Sequence, residues 1–332
     1  MSTTSNTFTF KPLILDEIRK NGGWTNSHAH GDRAFTINPN SLDIYKKYSL
    51  EEKWDLVDEV KENASVEDYY KRMSMAIEVL IAQGVTTFGS FVDVDPVCED
   101  RAIKGALKAR EQYRDQIKVM FINQTLKGVI EPEARKWFDV GAEMVDIIGG
   151  LPKRDLRDFG KGKDEEHVDI LMKTAKKLNK LVHVHVDQFN TIEDVESEML
   201  CDKTVEHGME GKVTAIHCIS LAAHEKSYRE KVYKKMKDCG MSVICCPVAW
   251  IDNPRKETMQ PFHNALTPVD ELVAHGITVA LGTDNICDYM VPFCNGEMWQ
   301  ELMLMATGNR FVEIDEIVKI ATVNGRKVLG IE

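Results

Sequence analysis

Two stretches of this chain set histidines two residues apart: Ser27-His28-Ala29-His30, and Val182-His183-Val184-His185-Val186-Asp187-Gln188. Side chains two apart on a strand share a face. His28 and His30 therefore project together, and so do His183, His185 and Asp187, with the three valines on the opposite face. Two neutral imidazoles one pleat apart can chelate a borderline cation such as Zn²⁺ or Fe²⁺. One such pair among ten histidines could arise by chance. A buried strand with three polar side chains on one face is harder to explain, because each needs a partner. A metal supplies one. Two more segments end in polar residues: Ala215-Ile216-His217, and Leu281-Gly282-Thr283-Asp284-Asn285. A lone Asp after Gly-Thr commonly caps a helix. Here Asp284 follows an apolar run, where a carboxylate can ligate metal and accept a proton from water. His217 can hydrogen-bond that water or a developing oxyanion.

These residues close short apolar or β-branched runs, which read as strands over 24–30, 85–91, 117–123, 145–151, 181–187, 212–217, 241–248 and 277–284. Between them lie amphipathic stretches such as 66–83, 165–180 and 224–239, with Lys and Glu opposite an apolar face. Eight alternating units predict an α/β chain folded as a (β/α)₈ TIM barrel, although periodicity alone leaves an open doubly wound sheet in play. In a barrel the strand ends converge on one mouth, so His28, His30, His183, His185, Asp187, His217 and Asp284 would meet there. Segment 36–64 has no evident partner.

Composition narrows the function. With 42 Lys+Arg against 53 Asp+Glu the formal net charge is −11, which disfavours nucleic acid as a partner. Apolar residues at 43% and charged residues at 29% suit a soluble globular chain. Neither a secretory signal nor a membrane-length apolar run is visible. The eight cysteines form no paired C-x-x-C motif, and several fall in strand-like runs, as small core residues of a reducing compartment do. A single domain over 1–332 and a cytoplasmic location are expected.

The whole pattern, from Trp24 to about Gly330, resembles the amidohydrolase superfamily and its cytosine deaminase-like branch. Phe91-Val92-Asp93-Val94-Asp95 is similar to the second-strand end, Phe121-Ile122-Asn123-Gln124 to the substrate-contacting glutamine segment, and Ala321-Thr322-Val323-Asn324-Gly325-Arg326 to the closing helix. Arg33 in His30-Gly31-Asp32-Arg33 and the Asp284-Asn285 pair look more like the N-isopropylammelide aminohydrolase type than cytosine deaminase itself. The resemblance implies one divalent metal, Zn²⁺ or else Fe²⁺, on His28, His30, His185 and Asp284. It implies catalytic roles for Asp284 and His217, and substrate contacts from Gln124, Arg33, Asn285 and the residue at 188. His183 falls outside the matched register, and Lys153 is a poor match to the carbamate lysine of binuclear members. Tyr289, Met290, Phe293 and Trp299 are candidates for the pocket wall. At the position of the deaminases' proton-shuttling glutamate this chain has Gln188, which shifts proton work to Asp284 and His217. About 25 residues precede the first histidines, too few for the flanking β-sandwich of many members. The implied activity is metal-dependent hydrolysis of a C–N bond in a small N-heterocycle, by a chain that neither enters membranes nor binds nucleic acid and is compatible with a homo-oligomer. Opening of a cyclic amide of hydantoin or lactam type, and non-catalytic metal binding, are the alternatives.

Overall fold

In a computed structural model, described over residues 9–249 and 266–332, the eight strands are β1 Trp24–Ala29, β2 Val85–Asp93, β3 Lys118–Gln124, β4 Ile148–Gly150, β5 Val182–Val186, β6 Val213–His217, β7 Ser242–Cys245 and β8 Val279–Leu281. All neighbouring pairs run parallel, as two arcs, β1-β2-β3 and β4-β5-β6-β7-β8. Single bridges join the arcs, Ala29 to Asp284 at one seam and Ile122 to Ile147 at the other. Closure at both seams makes this the expected (β/α)₈ barrel and removes the open sheet. Asparagine side chains reinforce each seam. Asn26 Nδ2 donates to Thr283 Oγ1 at 2.9 Å and its Oδ1 accepts from Thr283 N at 3.2 Å, while Asn123 Oδ1 accepts from Gly149 N at 2.8 Å.

The strands at 145–151, 241–248 and 277–284 are shorter than the sequence suggests, and β2 is longer. Gly149 in β4 and Gly282 just past β8 leave no room for a Cβ: one at Gly149 would come within 2.0 Å of the Asn123 carbonyl oxygen and one at Gly282 within 2.8 Å of the His28 carbonyl oxygen. Val182, Val184 and Val186 are fully buried in the outer layer between sheet and helices. Phe91, Ile122, Ile216, Ile244 and Ala280 fill the interior. The C-terminal helix Val323–Val328 covers the barrel's lower end, where Val328 and Leu329 join the interior cluster and His183 Nε2 donates to the Val328 carbonyl at 2.9 Å.

Segment 36–64 does have a partner. Its helices Ser41–Lys47, Leu50–Leu56 and Asp58–Lys61 lie over the mouth. The second starts with a reciprocal Ser49–Glu52 capping box that satisfies two otherwise orphaned donors. All eight cysteines are unpaired and all but Cys287 are buried. No described helix is long and apolar enough to cross a membrane.

Candidate active site

Five polar side chains meet at the mouth. His28 Nε2 and His30 Nε2 lie 3.3 and 3.0 Å from Asp284 Oδ1, and His217 Nε2 lies 3.8 Å from Asp284 Oδ2. Ligand atoms of His28, His185 and His217 also fall within 4.8 Å of one another, as do those of His28, His30 and Asp284. The β8–β1 seam sets this arrangement in backbone: Asp284 N donates to His28 O at 2.9 Å and His30 N to Asp284 O at 2.8 Å. Simple alternation aims His28, His30 and His185 inward. His217 differs, because Ile216 already takes the inward position of β6. A left-handed backbone, φ 77°, returns His217 to the mouth, and Asp284 has φ 59°; such non-glycine conformations cost of order 1–3 kcal/mol and cluster at functional sites.

Phe91 forms the floor, its ring centroid 4.6 Å from His185 and 4.9 Å from His28. Burial this deep penalises charge. The imidazoles of His30 and His217 are pushed down to about 3 and about 4, and His185 is held well below its usual range, in each case mainly by burial. Burial alone would raise Asp284, but hydrogen bonds from His28 and His30 and the nearby His217 hold it well below the usual carboxylate range. His30, His185 and His217 are therefore neutral imidazoles, and Asp284 an ionised carboxylate, at neutral pH. His185 Nδ1 is fixed by the Gly150 carbonyl at 3.1 Å, leaving a buried Nε2 without a partner among the described residues. A ring nitrogen so oriented, with its second nitrogen anchored on a carbonyl, is the arrangement a divalent cation requires of a histidine ligand. The two groups that share His28, one with His185 and His217 and one with His30 and Asp284, each bring three such ligand atoms close enough for one ion.

Over residues 23–332 the sequence matches the amidohydrolase family. The chain belongs to that family. It is thus a hydrolase of C–N bonds, in a family that generally uses a divalent metal. An uncharacterised protein of Haemophilus influenzae is 60% identical over 269 residues, 81% of this chain and 97% of its own. N-isopropylammelide isopropyl amidohydrolase of Pseudomonas sp. (strain ADP) is 27% identical over 96% of this chain and 78% of its own length. Among solved structures, 5-methylcytosine deaminase from Klebsiella pneumoniae superposes with a TM-score of 0.83 at 24% identity, covering 92% of this chain and 74% of that one. That likeness is one of fold.

The mouth of this amidohydrolase encloses about 30 Å³, roughly the share of one water in the liquid. Arg33, Gln124 and Gln188 line it together with His30, His185, His217 and Asp284. Asn285 does not; its Nδ2 donates to Asp288 Oδ2 at 2.5 Å. Asp187 leaves the histidine face altogether. Its Oδ1 accepts from Glu196 N at 2.8 Å, capping the helix Glu196–Glu206, with φ 52°. Lys153 pairs with Asp194 at 2.6 Å, apart from the histidines. Of the candidate wall residues only Met290 lines the cavity. Tyr289 donates to Glu59 at 2.6 Å, Phe293 is exposed, and Trp299 carries Lys11 over its ring.

Three contributors escape a reading of the sequence. Leu50 and Trp54, from the helix Leu50–Leu56, line the cavity. The fully buried Asp288 accepts from Arg33 Nε at 3.2 Å and from Met290 N and Val291 N, both at 2.9 Å. Its bonds to residues two and three ahead form an Asx turn, and an Asp two residues before an apolar pair was the available signal. No local pattern announces the placement of Leu50 and Trp54, which depends on the whole segment folding back.

Proposed function

We propose that this amidohydrolase cleaves an exocyclic C–N bond of a small N-heterocycle and releases ammonia or an alkylamine. One divalent cation, Zn²⁺ or else Fe²⁺, would sit on His28, His30, His185 and Asp284. The arrangement of Asp284 supports this most: Oδ1 lies 3.0 and 3.3 Å from two imidazoles, while Oδ2 faces His217 at 3.8 Å. One oxygen thus belongs to the donor set and the other to the reaction space. Bound there, the cation supplies a Lewis acid that makes water a stronger acid.

The chain's own residues do the rest. Asp284 accepts the proton of the attacking water through Oδ2 and delivers it to the departing nitrogen. His217, neutral through burial, donates to the oxygen forming on the attacked carbon. Gln188 cannot relay a proton near neutral pH, so both transfers fall to Asp284. Arg33 and Gln124 orient the ring. Relatives named for N-isopropylammelide and for pterin agree with a nitrogen-rich ring as substrate.

The test is metal analysis combined with assays of amine release from pyrimidines, triazines, pterins and cyclic amides. One ion per chain is expected, lost in His185→Ala. Amine release should fall roughly 10²–10⁴-fold in Asp284→Asn. A ring-opened carboxylate as the product, or a metal-loaded protein that turns over no heterocycle, would refute the reading.

A further inference from the structure

At the end of the barrel opposite the mouth, where the chain enters β6, β7 and β8, lies a larger cavity of about 330 Å³, within the size range of small-molecule sites. Three lysines line it: Lys212 ahead of β6, Lys237 in the last turn of the helix Lys226–Asp238, and Lys327 in the C-terminal helix. Lys237 Nζ donates to Gly276 O at 2.8 Å and Lys327 Nζ to Thr278 Oγ1 at 3.4 Å. An ammonium has three protons to donate, so both keep donors free, and the side chain of Lys212 has no bond to a described residue. Among the described lining residues there is no carboxylate, although the chain carries a net charge of −11. Two hydroxyls are open as well. Thr214, 4% exposed, lies beside Ser242 in the register of β6 and β7, and neither hydroxyl bonds to a described residue. Met236, Met241 and Ile277, all buried, supply an apolar wall. Gly276, with φ 72°, keeps the rim clear, since a Cβ there would meet Lys237 Nζ at 2.9 Å. Helix ends account for Lys237 and Lys327, whose charges offset the carbonyl termini. They do not account for Lys212, which precedes a strand, or for the open hydroxyl of a buried threonine.

We propose that this cavity is a second ligand site, for a phosphorylated small molecule with a planar or apolar body. Its phosphate oxygens accept from the three lysines and the two hydroxyls, and its body packs on Met236, Met241 and Ile277. A phosphate ester carries nearly two negative charges at neutral pH, so two linked phosphates come close to balancing three ammonium groups. Mobile ammonium point charges suit oxygens spread over a tetrahedron, whereas the guanidinium fork that favours a planar carboxylate is absent from the described lining. The apolar wall adds affinity that a bare phosphate cannot use. This cavity shares no lining residue with the mouth, so the inference stands apart from the reaction proposed there.

Calorimetry on the full chain with adenosine diphosphate, pyrophosphate, adenosine and citrate tests this. Adenosine diphosphate should bind at least about tenfold tighter than adenosine, which lacks the phosphates, and several-fold tighter than pyrophosphate, which lacks the body. Its affinity should fall as salt is raised. Citrate, an anion without phosphate, should bind more weakly than pyrophosphate. Replacing both Lys212→Gln and Lys327→Gln should weaken adenosine diphosphate roughly tenfold or more. Both lysines are exposed, so the melting temperature and metal content of that variant should match the parent. Thr214→Val, which keeps the shape and removes the hydroxyl, should weaken binding several-fold. Failure of adenosine diphosphate to bind, or binding no tighter than that of adenosine, overturns the proposal. So does citrate binding as well as pyrophosphate, or an adenosine diphosphate affinity unchanged in the double-lysine variant, which would place that ligand elsewhere on the molecule.

Discussion

A methyl group at position 282 would lie 2.8 Å from both Cβ and the carbonyl oxygen of His28, closer than the pleat can accommodate. Gly282→Ala must therefore push β8 away from β1 at the point where Asp284 N donates to His28 O. The expected outcome is a fall in metal occupancy larger than the fall in melting temperature, read by metal analysis beside calorimetry; full occupancy in the variant would refute this account of the seam. Titration offers a second test at this scale. Burial first, and then Asp194, raise the Glu196 carboxyl to about 8 against its ordinary 4.5. A carboxyl raised on folding contributes its full stability below the unfolded value and loses it as pH climbs through the folded one. The protein should therefore lose stability between about pH 5 and 9. Glu196→Gln, which keeps an oxygen to accept from Asp187 N, should flatten that loss and melt on the order of 2 °C higher than the parent at pH 9 but not at pH 5. Parallel pH profiles would show that Glu196 is not the group responsible. His28, His30 and His185 were legible in the sequence because strand alternation has a fixed period. His217 was expected at the mouth because it closes a strand, but the left-handed turn that aims it there, and the diversion of Asp187, were not legible, because no period encodes a left-handed residue.

Charge pairs clasp the helices over the mouth from several sides. Lys61 meets Asp95 and Asp93 at the end of β2, Arg157 donates to Glu51 O at 2.7 Å and pairs with Asp55, Lys127 meets Asp58, and Lys53 donates to Met290 O at 3.2 Å. Leu50 and Trp54 wall this narrow cavity, so movement of residues 41–62 would widen the way in for a six-membered ring. The rim pairs are partly solvated and salt-screened, whereas Lys61 and its two aspartates are fully buried and costly to separate. Opening should therefore hinge on the Lys61 end and begin at the Arg157 side. Hydrogen exchange over 41–62 is expected to run faster than in the barrel strands, to slow on ligand binding, and to accelerate a few-fold in Arg157→Met with barrel exchange unchanged. Equal protection of this segment and the strands would contradict a moving cover. The sequence left this segment without an evident partner. Its site on the mouth is set by contacts across long chain separations, such as Lys53 with Met290, which lie outside any local window.

At the scale of the whole molecule the barrel is two arcs held by two narrow seams, and the proposed ligands come from both: His28 and His30 from the β1–β3 arc, His185 and Asp284 from the β4–β8 arc. Alternating strand and helix patterns were enough to read eight units and to favour a barrel, with the open sheet still in play. They could not reveal that closure rests on single bridges, because ladder length depends on how glycine-bearing strand ends meet. An ion at the mouth would bind the folded arcs together and not the unfolded chain, and so add stability by linkage. It would act at the β8–β1 seam, where three of its four ligands sit, and not at the β3–β4 seam across the barrel. Removing metal with a chelator should lower the melting temperature and broaden the transition. The two seam asparagines then separate the contributions. Asn123→Ala should cost the same stability with and without metal, because its bond to Gly149 is remote from the ligands. Asn26→Ala should cost less in the metal-loaded protein than in the stripped one, since the ion and the Asn26–Thr283 bonds brace the same junction and contacts sharing a junction do not add. A double-mutant cycle against metal content measures this directly. Equal penalties for Asn26→Ala in both forms would mean that the ion, wherever it binds, does not staple the seam.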